Sequence, residues 1–180
     1  MYAPLHTKSH YSLGDGCTPV DALVERAAAL GFPALGLTDV ENLCGQVQFH
    51  QAARARGVVP ITGVELRAGF GPGETGLLEG RLILLARDRR GYESLCRIVT
   101  SRRCTSFDSS PDPVRCLDAF PSGLFYLSDD PGVIRRLLAE GVSCDDVRCL
   151  VTEPGLPVGA TIPPFSASRV MVSLSSVQSG

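Results

Sequence analysis

Strand-like and helix-like segments alternate from the start of this chain, and that alternation narrows the folds open to it. Tyr2 to Thr7 reads as a first strand. Thr18 then stands as an N-cap, with Pro19 at the first helical position and Asp21 in the first turn. Val20, Leu23, Val24, Ala27 and Leu30 recur at helical spacing, and Gly31 supplies a stop. Ala34 to Leu37 reads as a buried strand, followed by a helix from about Gly45 to Arg56 with Gly57 as its terminator. Val58 to Leu66 is a strand in which Pro60 should weaken interior pairing. The order continues with a strand at Leu82 to Ala86, a helix at Tyr92 to Arg102 and a strand at Leu124 to Leu127. A helix at Pro131 to Glu140 and a strand at Val147 to Val151 follow, with a further strand candidate at Val158 to Ile162 before Pro163-Pro164. Glycine-rich 69–80 and polar 104–113 read as loops. Such alternation predicts an α/β fold with a parallel sheet or barrel and right-handed crossovers.

A chain of 180 residues, 44% hydrophobic and 20% charged, can bury one proper core. Its formal net charge of −2 gives no bulk attraction for nucleic acid. No apolar run approaches the roughly 20 residues of a membrane span, and the N-terminus lacks a basic-then-apolar leader, so the cytoplasm is the expected location. The 7 cysteines are odd in number and lack zinc spacing; reduced thiols are expected.

The chemistry concentrates in His6-Thr7-Lys8-Ser9-His10-Tyr11-Ser12-Leu13-Gly14-Asp15-Gly16. This is a short strand opening into a turn rich in possible ligands. Leu37-Thr38-Asp39-Val40 and Gly63-Val64-Glu65 repeat the theme, each an apolar run that ends in a carboxylate. Imidazoles and carboxylates delivered from several strand ends are how a barrel-like enzyme builds a metal site. Lys8 stands where the second imidazole of an H-x-H pair would be, and a cation there repels metal.

These motifs resemble one family, the PHP domain (polymerase and histidinol phosphatase), in the form that opens bacterial C-family DNA polymerases, the polymerase III α subunits and their error-prone relatives. That module opens H-x-H-S-x-Y-S-x-x-D-G, matched by His6 to Gly16 except at Lys8. Its A-L-x-[IL]-T-D-H-x-N-[ML]-x-G segment is matched by Ala34 to Gly45, with Val40 in place of the histidine. The G-x-E motif is intact as Gly63-Val64-Glu65. The H-L-x-L-L-A-[KR]-[ND]-x-x-G-Y segment appears as Arg81 to Tyr92, its histidine replaced by Arg81. The match is specific over residues 1 to about 100 and weakens beyond. Near the end, Ile162-Pro163-Pro164-Phe165 holds neither member of the family's closing D-x-H.

The resemblance implies a distorted (β/α)7 barrel, with room for it to be incomplete at the C-terminus. Residues 1–165 would form the PHP-like domain and 166–180 a Ser-rich tail. Active members hold up to three zinc, manganese or iron ions and hydrolyse phosphoesters; some are 3′–5′ proofreading exonucleases. Carried over position by position, the surviving ligands are His6, Asp15 and Glu65, a vestigial set, with Lys8, Asp39, Val40 and Arg81 lining the same pocket. No cofactor is expected, the alternative being zinc or manganese at partial occupancy. The expectation is a degenerate, catalytically inactive module serving replication or repair structurally. Its partners would be the rest of a C-family polymerase or its subunits, with DNA contact indirect. The opposing reading is a metal-dependent phosphoesterase or proofreading exonuclease.

Plainer roles suit several residues. Lys8 is expected to pair with Asp15 or Glu65, a salt bridge replacing the metal. Asp39 should stabilise the strand-end loop, Tyr11 and Ser12 should fix the turn, His10 should lie on the surface, and His50 should pack or be solvated. Arg87 to Arg90 reads as a solvated loop.

Overall fold

The computed structural model describes residues 2–67, 81–104, 117 and 122–149. The strand candidate at 158–162, the tail from 166 and the expected loop at 69–80 lie outside them, as does the polar segment beyond Cys104 as far as 113.

The elements are α1 (Val20–Ala29), β1 (Ala34–Val40), α2 (Gln46–Ala55), β2 (Val59–Arg67), β3 (Arg81–Ala86), α3 (Arg89–Cys104), β4 (Leu124–Ser128), α4 (Pro131–Ala139) and β5 (Val147–Cys149). Helix α1 begins one residue later than expected. Its N-cap position falls on Pro19, with no side-chain cap, and Thr18 instead offers its carbonyl to the His10 amide at 3.0 Å. Gly31, at φ +69°, ends the helix as its left-handed conformation requires.

The five strands form one sheet in the order β1-β2-β3-β4-β5. It is not wholly parallel, which corrects the sequence expectation: β1 with β2 and β4 with β5 are parallel, but β3 runs antiparallel to both its neighbours. The connections explain this. Parallel neighbours need a long crossover, usually a helix, and α2 and α4 supply one. The 68–80 link has no helical pattern. Between β3 and β4 the chain leaves at Ala86 and returns at that residue's register partner, Leu124, so the excursion through α3 starts and ends at one edge. Among the described residues the sheet does not close into a barrel.

Pro60 costs no ladder bond. Val59 donates to Pro33 at 2.9 Å, which turns the Pro60 nitrogen toward the other edge, where pairing with β3 begins only at Gly63.

Alternation along the strands divides the sheet into two faces. On one, Leu35 and Leu37 pack with Val20, Val24, Ala27, Phe49 and Ala53 of the first two helices. Val64, Leu66, Leu82, Leu84 and Tyr126 continue that face under Leu95, Ile98, Val133, Ile134 and Leu137 of α3 and α4. All four helices therefore cover the same side. The other face carries Ile83, Leu85 and Leu127, packed with Leu5, Ile61 and Phe125.

The expected strand at Tyr2 to Thr7 is reduced to a single parallel bridge, Thr7 to Leu37. The segment still lies along β1, with Gly36 and Thr38 donating to Pro4 and Thr7, each at 2.8 Å. Gly36 allows this close approach, because a Cβ there would stand 2.4 Å from the Leu5 carbonyl oxygen. Docking of this segment delivers the first motif to the carboxyl ends of β1 and β2.

Candidate functional site

Glu65, near the carboxyl end of β2, has a side chain with no solvent exposure. His6 and Lys8 flank the bridging Thr7, and their i, i+2 spacing puts both on the side facing Glu65. The His6 Nε2 lies 2.7 Å from Glu65 Oε2, and Lys8 Nζ lies 3.0 Å from the same oxygen. Arg67 follows Glu65 by two positions, shares its face, and donates from Nε to Oε1 at 2.7 Å. Asp15 completes the group, receiving two Arg67 nitrogens at 2.8 and 3.0 Å with Lys8 Nζ at 3.8 Å. The salt bridge expected of Lys8 is present, and two carboxylates balance two fixed cations.

Burial pushes the Glu65 carboxyl up, but hydrogen bonds from His6, Arg67 and Lys8 and the Lys8 charge outweigh it and hold it at about 2. The hydrogen bond from Arg67 lowers the Asp15 carboxyl below its usual range, against a smaller opposing effect of burial. The same bond to Asp15 raises the Arg67 guanidinium.

Asp39 does not line this pocket, contrary to expectation. Register sets Val40 beside Glu65 and Asp39 beside Val64, so Asp39 belongs to the opposite, helix-covered face. It is buried there as the hub of the first turn. One oxygen accepts from the Ser9 amide at 2.7 Å and the Ser12 hydroxyl at 2.6 Å, and the other from the Ser9 hydroxyl at 2.7 Å. Ser12 accepts in turn from the Val40 amide at 3.0 Å. The loop-stabilising role expected of Asp39 and the turn-fixing role of Ser12 are both seen. His10 is exposed, while His50 is a half-buried residue of α2 with its Nε2 2.7 Å from Thr62 Oγ1 of β2.

The PHP domain profile matches residues 4–145 of this chain. The chain belongs to the PHP domain family. An error-prone DNA polymerase of Anaeromyxobacter sp. (strain K) is 46% identical over 149 residues, which cover 76% of this chain and 13% of that protein. An error-prone DNA polymerase of Pseudomonas aeruginosa is 42% identical over 102 residues, 57% of this chain and 9% of that one. The similarity is to the N-terminal region of these polymerases, of which the chain spans only a small part. Among solved structures, an amidohydrolase from Chromobacterium violaceum shares 16% identity at a TM-score of 0.44, over 77% of this chain and 72% of that one.

Against the PHP ligand pattern, the donor set here does not fit a metal cluster. His6, Asp15 and Glu65 come together, but both Glu65 oxygens already accept protein donors, and His6 Nε2 is turned onto the same carboxylate. Val40, beside Glu65 on the pocket face, offers no donor atom. Arg81 sits opposite Arg67 on that face and directs its Nε to Asp129 at 2.8 Å. Among the described residues, no three His, Cys, Asp or Glu side chains gather as metal ligands would. A divalent ion about 4 Å from the Lys8 ammonium would be repelled by roughly 8 kcal/mol at an effective dielectric of about 20.

Two features of this PHP site went unread in the sequence. Arg67 was one, although its i+2 relation to Glu65 was visible. The other is Glu41, a non-glycine residue at φ +55° just beyond β1. Its carboxylate takes a two-pronged hydrogen bond from the buried Arg102 of α3, both contacts at 2.6 Å, and also accepts the Arg67 amide at 3.0 Å. Arg102 further donates to the Arg67 carbonyl at 2.7 Å. This clamp fixes the backbone that aims Arg67 at Glu65.

Proposed function

We propose that this PHP domain is a catalytically silent module of a bacterial error-prone type of C-family DNA polymerase, in which it acts structurally during replication or repair. The observation that carries the reading is the capture of both Glu65 oxygens by cationic side chains, Lys8 at 3.0 Å and Arg67 at 2.7 Å. Phosphoester hydrolysis in this family depends on metal to generate hydroxide and to clamp the phosphoryl oxygens. A pocket filled by its own ammonium and guanidinium groups supplies neither. The module would work without zinc or manganese and keep the pocket as a salt-bridged plug, with His6, Asp15 and Glu65 as remnants of the ligand set.

Four helices on one sheet face, and the site at the carboxyl ends of β1 and β2, suit a segment of a distorted (β/α)7 barrel. The partners would be the remainder of the polymerase or its subunits, in the cytoplasm. No described helix is long and apolar enough to cross a membrane. The test is a nuclease assay on single-stranded DNA with added manganese. No cleavage above buffer is expected; robust manganese-dependent cleavage that Glu65→Ala abolishes would promote the exonuclease alternative.

A further inference from the structure

We propose that the exposed face of α3 is a contact surface for the phosphate backbone of DNA. The chain as a whole is acidic by −2, yet this one helix holds five arginines against a single glutamate. Arg102 is committed to Glu41. Among the described residues, carboxylates around the helix are committed as well. Asp88 accepts from the Gly91 amide at 2.9 Å, Glu93 pairs with Arg89 at 3.2 Å, and Asp146 pairs with Arg87. Arg90 and Arg97 remain exposed, with no carboxylate partner among the described residues. Seven residues apart, they lie on one line of the helix about 10 Å from each other. Arg103, exposed at the C-terminal end of the helix, donates its Nε to the Glu41 carbonyl, a neutral group, at 3.0 Å.

Two aligned guanidinium groups without a carboxylate partner among the described residues fit a repeating polyanion better than a single small anion, because each fork takes one phosphate and the two lie in line. The polymerase context proposed above makes DNA the polyanion at hand, and the proposal rests on that reading. This surface is separate from the Glu65 pocket and needs neither metal nor chemistry.

The experiment is fluorescence anisotropy of a labelled 20-nucleotide DNA strand with the full chain in EDTA, over 50–200 mM salt. Binding should be measurable at low salt, with log K falling against log salt at a slope of about −1.4, as expected for roughly two phosphates on a single strand. R90E/R97E should weaken binding at least tenfold without changing the thermal unfolding of the chain. Should that variant fold poorly, R90Q/R97Q should still lose about threefold. Equal binding by a folded double variant would overturn the proposal, as would no binding at 50 mM salt or tighter retention of polyglutamate than of DNA. Manganese-dependent cleavage would defeat the silent-module reading and leave this one standing; loss of DNA binding alone would do the reverse.

Discussion

Lys8 Nζ lies 3.0 Å from Glu65 Oε2, which places an ammonium group against a carboxylate that is wholly out of solvent. The family pattern has a histidine at the Lys8 position, so one residue removes a metal donor and supplies a cation in its place. Removing one partner of a buried pair costs more than the pair contributes in place, and here it would leave the Glu65 and Asp15 carboxylates sharing a single fixed cation, Arg67.

Lys8→Ala should therefore destabilise the chain by about 3 kcal/mol in urea unfolding. Lys8→Arg, which retains the charge, should lose less than half as much. Equal losses in the two variants would argue that Lys8 matters for packing alone.

Acid stability gives a second check. The Glu65 carboxyl falls from 4.5 in the unfolded chain to about 2 in the fold, so its contribution is fully present above pH 4.5 and is lost as pH falls toward 2. The amount is on the order of 3 kcal/mol. Asp15, also lowered, acts in the same direction. Unfolding free energies measured from pH 6 to pH 2 should drop less steeply for Glu65→Gln than for the parent chain, from a lower starting value.

The Glu41–Arg102 clamp joins the loop after β1 to the far end of α3. Arg102 is almost fully buried, so Arg102→Ala should cost about 3 kcal/mol and loosen Arg67. Hydrogen exchange at the Arg67 amide, now bonded to Glu41, should quicken in that variant.

Gly36 is the tightest constraint on where the first motif docks. In Gly36→Ala the new Cβ meets backbone at Leu5, which cannot rotate away, so the N-terminal segment must shift. A loss of about 2 kcal/mol is expected. Lys8→Ala should cost less in that background than alone, because Lys8 would already be displaced from Glu65.

The order of strands and helices was legible because each strand is a short apolar run and each helix carries one apolar stripe. Helix α2, expected from about Gly45 to Arg56, spans Gln46–Ala55. Strand direction was not legible, since Leu82 to Ala86 has the same pattern read either way; the connections on each side of β3 decide it. The face of Asp39 was missed for a related reason. Which of Asp39 and Val40 joins Glu65 depends on register between β1 and β2, and register follows from packing across the sheet. The Glu41–Arg102 contact spans 61 positions, beyond any local periodicity.

Metal stoichiometry tests the central claim most directly. The chain, purified without chelator and then equilibrated with excess zinc or manganese and desalted, would be analysed for bound metal. The salt-bridged pocket predicts far less than one equivalent per chain, and no change in thermal unfolding on addition of EDTA. Two or more tightly held ions per chain, lost with a drop in stability when Glu65 is changed to alanine, would contradict it.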